Sequence, residues 1–156
     1  MDETIQFRQC LGKFATGVTV VSCLDSAGKP CGITANSFSS VSLEPPLVLW
    51  NIAKVSRSLQ AYLDAEYFAF NILSAQQQDI STRFAESDTD LFHDVAFQNS
   101  PRGVPLIDAT LASFECRTDV IHDCGDHHII IGEVVDYTIA EGEPLIFHSG
   151  RYAKLE

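Results

Sequence analysis

Basic residues are scarce in this chain of 156 residues: ten Lys and Arg stand against 21 Asp and Glu, for a formal net charge of −11. That balance argues against non-specific binding to nucleic acid or to an anionic membrane, whose phosphates repel such a surface. Long hydrophobic runs are missing as well. No stretch approaches the roughly 20 apolar residues that a membrane-spanning helix needs. The opening Met1-Asp2-Glu3-Thr4 is acidic and is not a secretory leader. A soluble, cytoplasmic protein is expected. The five cysteines (Cys10, Cys23, Cys31, Cys116, Cys124) are odd in number and contain no C-x-x-C pair. They read as free or buried thiols, with Cys31 and Cys116 as small apolar fillers, rather than as a disulfide framework. Neither G-x-G-x-x-G nor a Walker motif occurs, so a nicotinamide nucleotide would have to be held by something other than a Rossmann turn.

What is present fits one globular domain spanning residues 1–156, with 46% hydrophobic and 20% charged residues. The pattern is mainly β. Phe7, Cys10, Leu11 and Phe14 fall at helical spacing, predicting a helix over 4–15 with Thr4 as N-cap. Residues 17–24 are β-branched and predict a strand, followed by a turn at 25–30 and a hairpin partner from Cys31. Further strands are expected over 46–52, with Trp50 in the core, and over 67–73. Ser56 or Ser58 caps a short helix between them, and Ser74 caps a helix running to about Ala85. Residues 86–105 read as a polar excursion. Strands then follow at 112–116, at 128–138 with a bulge at Gly132, and at 145–147. Six or more short strands with two or three inserted helices point to an antiparallel barrel of Greek-key type.

Gly32 to Ser42 is rich in hydroxyls (Thr34, Ser37, Ser39, Ser40, Ser42) and lies between apolar strands. Two readings stand open at this point. The segment is either a ligand-binding edge of hydroxyls and backbone N–H groups or a turn satisfying its own backbone. His122-Asp-Cys124-Gly-Asp-His127-His128 gathers imidazoles and a thiol, but its spacing matches no standard zinc module. It is read as a hairpin turn with no metal.

Gly17-Val-Thr-Val-Val and Gly32-Ile-Thr-Ala-Asn-Ser-Phe-Ser-Ser-Val-Ser-Leu-Glu-Pro-Pro-Leu47 resemble the short-chain flavin reductases. So do Phe70-Asn-Ile-Leu73, Arg83-Phe-Ala85, Gly125-Asp-His127, Ile131-Gly-Glu-Val134 and Gly150-Arg-Tyr152. The resemblance implies an FMN-binding split β-barrel that acts as a homodimer. It would reduce FMN or FAD with NADH or NADPH and hand reduced flavin to a partner monooxygenase. It also implies that Thr34, Ala35, Asn36 and Ser37 line the flavin ring and ribityl chain. Ser40, Ser42, Asn51, Lys54, Ser56 and Arg57 would face the phosphate end, and Phe84 and Ala85 would close over the flavin. Gly125, Asp126, His127 and Tyr152 would meet the nicotinamide nucleotide. Hydride transfer needs orientation and placed dipoles, so no dedicated nucleophile or acid–base residue is expected. Two alternatives remain: a protein that holds FMN permanently without nicotinamide turnover, and a haem-binding use of the same barrel.

Overall fold

The computed structural model describes residues 2–86 and 90–156. Among them no helix is long and apolar enough to cross a membrane. Helix α1 (Glu3–Gly12) leads into strands β1 (Thr16–Gly17), β2 (Thr19–Leu24), β3 (Pro30–Ala35), β4 (Ser39–Leu43) and β5 (Pro46–Ala53). Then come α2 (Leu59–Asp64), β6 (Tyr67–Ile72), a single 3-10 turn at Ala75–Gln77 and α3 (Gln78–Phe84). The chain continues through β7 (Phe97–Asn99), β8 (Pro105–Ile107), β9 (Ala112–Cys124), β10 (His127–Ile139), β11 (Ile146–His148) and β12 (Arg151–Ala153). Seven strands form one antiparallel sheet in the order β3-β2-β6-β9-β10-β5-β4, beside a small β1-β11-β12 sheet and the β7-β8 hairpin.

Strand β2 is the reason for two cores. Successive side chains of a strand point to opposite faces, and Thr19 to Cys23 are buried on both. Val21 and Cys23 join Trp50, Tyr62, Phe68 and Phe70 on one side. Val18 and Val20 join Leu73, Phe84, Phe92 and Leu145 on the other. Gly132 coincides with a register shift between β9 and β10. A Cβ there would lie 2.7 Å from both Cys116 Cβ and Phe68 Cζ, so the bulge position also needs the missing side chain.

Several expectations are corrected. The helix cap is Asp2, whose carboxylate accepts from the Thr4 N–H, and the helix ends at Gly12 rather than residue 15. None of its residues is buried, and Ile5, Phe7, Leu11 and Phe14 are exposed. The strand expected over 17–24 breaks at Val18, and β4 and β12 are strands that sequence patterning did not separate. The excursion at 86–105 is not simply a polar loop, although Ser87 to Thr89 within it lie outside the described residues. Phe92 and Val95 are buried, and Phe97–Asn99 pairs with Pro105–Ile107. Arg83 donates to the carbonyls of Leu91 and His93. Ser100 Oγ donates to buried Glu115 at 2.6 Å and accepts from the Val104 N–H at 3.1 Å, tying the hairpin to β9. The Ser74 cap holds: its N–H donates to Gln77 Oε1 at 3.0 Å.

Candidate functional site

Strands β3 and β4 are the two edges of the large sheet, and residues 36–38 connect them. The hydroxyl-rich stretch therefore supplies both edges, and its side chains divide between the two readings. Ser37 serves the fold: its Oγ accepts from the Asn51 N–H at 3.0 Å and donates to the Asn51 carbonyl at 3.3 Å. Phe38 anchors the crossing by packing on Phe70 and Phe114. Asn36 is exposed.

Thr34, Ala35 and Asn36 line a pocket of about 180 Å³ with Val18, Ser81, Ala85, Phe147 and Tyr152. Its back wall is cross-braced. Ser81 and Tyr152 share a hydroxyl–hydroxyl hydrogen bond of 2.6 Å, and Thr34 Oγ1 donates to the Ser81 carbonyl at 2.6 Å. Ser81 is thus a site residue that the resemblance did not supply. Its sequence signal is a small hydroxyl on the face of α3 that also buries Gln77 and Phe84, at helical spacing.

Ala85 also lines a larger groove of about 770 Å³, together with Lys29, Cys31, Gly32, Ile33, Ser56 and Arg57. Phe84 contributes to its wall but is only 1% exposed. Its ring packs edge-on against Phe92 at 4.8 Å and lies against Gly32, where a Cβ would fall 2.6 Å from Phe84 Cε1. Phe84 therefore cannot swing over a ligand; it backs the groove.

Lys54 is engaged elsewhere. Its ammonium donates to Asp123 at 2.6 Å, and its N–H donates to the Asp126 carbonyl at 2.9 Å. The Gly125-Asp126 turn joins β9 to β10, Cys124 pairs with His127, and Gly125 takes φ +62° as the tight turn requires. His127 pairs with Ala53 across the sheet, and its Nδ1 lies 2.7 Å from the Asp126 carboxylate. So Lys54 and Gly125–His127 form one unit at the end of β5. Among the described residues they do not line the pocket that holds Tyr152. Ser40 and Ser42 sit on β4, opposite Val48 and Leu47, and line neither cavity. Asn51 Oδ1 is buried without a hydrogen-bond partner among the described residues.

The Lys54 ammonium holds the Asp123 carboxyl below the usual carboxylate range, and His127 does the same for Asp126. A depressed carboxylate contributes stability above its unfolded value and loses it as pH falls through the folded one. The Lys54–Asp123 tie should therefore be intact at neutral pH and released only in acid. Carbon-13 NMR should place the Asp123 midpoint below that of an ordinary Asp, and Lys54→Ala should return it to the ordinary range.

The sequence model of the flavin reductase like domain matches residues 11–156. The chain is 47% identical to the FMN reductase (NADH) SmoA of Agrobacterium fabrum over 148 residues, covering 95% of this chain and 84% of that protein. It is 40% identical to the reductase subunit HsaB of a flavin-dependent monooxygenase from Rhodococcus jostii, covering 97% and 77%. Against the longer reductase component of the trigonelline monooxygenase of Acinetobacter baylyi it is 44% identical, spanning 94% of itself and 47% of that relative. The NADH:FAD oxidoreductase SgcE6 of Streptomyces globisporus, solved with NAD and FAD fragments, superposes with a TM-score of 0.94. It is 37% identical, with 99% of this chain and 93% of that one covered. Family model, curated relatives and solved structure agree over nearly the whole length: the chain belongs to the flavin reductase family.

Proposed function

We propose that the chain is an NAD(P)H:flavin oxidoreductase. It reduces FMN or FAD by hydride transfer and releases the product to a separate flavin-dependent monooxygenase. The observation that carries the site assignment is the pocket where Thr34, Ala35 and Asn36 meet Ala85, Ser81 and Tyr152, opening beside the larger groove through shared Ala85. The flavin supplies an electrophilic ring that accepts the hydride. This chain supplies position and dipoles. The Ser81–Tyr152 and Thr34–Ser81 bonds fix the back wall, so little reorganisation remains when the reacting rings meet. Exposed Asn36 is the polar group offered to the ring edge. Lys29 and Arg57 at the groove give the phosphate end a basic partner in an otherwise acidic chain. Ser56 joins them, while Lys54 acts through the hairpin that carries His127. Ser40, Ser42 and Ser37 are reassigned to the edge strand and its crossing.

The large sheet is read as a split β-barrel in a single cytoplasmic domain. A homodimer suits its surface: Ile5, Phe7, Leu11 and Phe14 stand exposed on or just beyond α1. Leu49, Asn51, Ile129 and Ile131 share the face of β5 and β10 opposite Trp50. Docking a second copy on that face would take the half-buried Leu49, Ile129 and Ile131 out of water.

Under anaerobic conditions, protein, FMN and NADH should bleach the visible flavin absorbance. Bleaching with neither NADH nor NADPH would overturn the reading, and flavin retained through gel filtration would favour a permanently bound cofactor. Asn36→Ala is expected to weaken FMN binding about tenfold, the worth of a well-made polar contact of ~1.4 kcal/mol. Fluorescence titration measures this, and the urea midpoint should not move because Asn36 is exposed.

A further inference from the structure

Cys23 and Cys31 stand directly opposite each other on the β2–β3 hairpin, and both are free thiols. Directly opposed residues of an antiparallel pair project to the same face with Cα atoms about 4.5–5.5 Å apart. Disulfides span Cα separations of roughly 4.4–6.8 Å, so the pair falls inside the window. The two environments differ. Cys23 is sealed in the core beside Val21 and Trp50. Cys31 is half-buried and lines the large groove beside Ile33 and Arg57, where a small solute can reach it.

Their chemistry is unequal as well. The Cys23 thiol beside its sulfur holds Cys31 below the ordinary thiol value, with Lys29 adding to the effect against burial and the Asp25 carboxylate. The same contact, with burial, pushes Cys23 far up. As a neutral thiol Cys31 instead donates weakly to the Lys29 carbonyl at 3.8 Å. One accessible sulfur that ionises readily, next to a buried one that keeps its proton, is an attacking and resolving pair. Cys10 and Cys124, by contrast, are exposed on α1 and at the end of β9.

We propose that Cys23 and Cys31 are a redox modification site, converted by hydrogen peroxide to a reversible disulfide that lowers flavin affinity at the groove. The effect on affinity rests on reading that groove as the flavin site. The oxidant follows from the activity, because reduced flavin that meets dioxygen instead of an oxygenase yields hydrogen peroxide. The Cys31 thiolate attacks one peroxide oxygen. The O–O bond breaks, Cys31 becomes a sulfenic acid and hydroxide leaves, taking up the proton that Cys31 had lost. Cys23 sulfur then attacks Cys31 sulfur, and its proton departs with the sulfenic oxygen as water. Two thiols lose two electrons and one peroxide becomes two waters. Closure turns Cys31 inward from the groove wall. Its neighbour Gly32 is already seated against Phe84 and Phe92 and cannot follow, so the displacement passes along edge strand β3 toward Thr34 and Asn36.

The test treats the reduced full-length protein with hydrogen peroxide, then alkylates it under denaturing conditions for peptide mapping, with FMN titrations before and after. Expected are a linked peptide pair containing Cys23 and Cys31, a mass lower by two hydrogens at that pair, and an FMN Kd raised about three- to tenfold. Dithiothreitol should restore the starting affinity, and Cys31→Ser should be insensitive to peroxide. Cys23→Ala should leave Cys31 gaining oxygen rather than forming a link. Both thiols still alkylatable while Cys10 and Cys124 oxidise would overturn the dithiol site. A linked peptide with unchanged FMN affinity would overturn its regulatory role. A reduced protein that binds no FMN would instead overturn the reading of the groove.

Discussion

Phe84→Ala is expected to cost about 3–5 kcal/mol of stability, the range for emptying a buried phenylalanine site. Urea denaturation should show it as a lower midpoint with an unchanged slope. The reasoning starts from position: Phe84 is 1% exposed and shares a core with Val18, Val20, Leu73, Phe92 and Leu145. Phe92 and the Gly32 backbone grip the ring from two sides, so neighbours cannot collapse into the space without moving β3. Weaker FMN binding should accompany the loss, because the same ring backs the groove. Gly32→Ala presses on the ring from the other side and should cost about 1–3 kcal/mol by overpacking. A lid residue would behave otherwise: Phe84→Ala would weaken FMN binding while the urea midpoint stayed within about 1 kcal/mol of the starting protein. That result would restore the picture of Phe84 closing over the flavin.

The Phe84 case shows where sequence patterning stops. The family resemblance, not residue type alone, singled out Thr34, Ala35, Asn36 and Ala85 for flavin and Tyr152 for the nicotinamide nucleotide, and in the structure all five line one pocket. It was not enough to separate a side chain that lines a groove from one that supports its wall, because that depends on packing from distant elements. Lys54 makes the same point for charge. Its partner Asp123 is 69 positions away, and only the β5–β10–β9 pairing brings the two together. Asn36 and Ser37 are neighbours in a hydroxyl-rich run, yet one is exposed and the other bonded to the Asn51 backbone.

Patterning succeeded where one local rule decides. Gly132 was legible as a bulge because glycine inside a long apolar strand signals one, and Ser74 as a cap because Gln77 stands three residues on. It failed over 86–105 because the apolar residues there come in two short runs, Leu91-Phe92 and Val95-Ala96-Phe97, too brief to show a helix or strand period. What holds the hairpin there is a long-range contact, Ser100 to Glu115, that no periodicity announces. Helix α1 failed differently. Its apolar spacing was read correctly as a helix, but among the described residues the face it predicts is left largely uncovered, with Phe7, Leu11 and Phe14 exposed. A pattern of that kind reports a surface needing cover without saying which molecule covers it.

Trp50 is the remaining large effect, and it separates core from site. It is the only tryptophan, 1% exposed, with its ring edge-on to Tyr62 at 5.1 Å. Trp50→Ala should cost about 3–5 kcal/mol, as expected for a fully buried indole. Trp50→Phe should cost far less, within about 1.5 kcal/mol, and the reason is specific. The indole Nε1–H is buried without a hydrogen-bond partner among the described residues. Leaving such a donor unpaired costs about 1–3 kcal/mol, so phenylalanine recovers part of what the lost ring area forfeits. Calorimetric midpoints of the two variants measure the difference directly. FMN titration of Trp50→Phe then decides the functional question. A core residue leaves the Kd within about twofold of its starting value, whereas a ring stacked on the flavin would lose roughly 0.5–1.5 kcal/mol of aromatic contact. The pairing of Trp50 with Ile130 on the inner face of β5 and β10, opposite the face that carries Asn51, places the indole away from the pocket of Thr34, Asn36 and Tyr152, and the unchanged Kd follows from that placement.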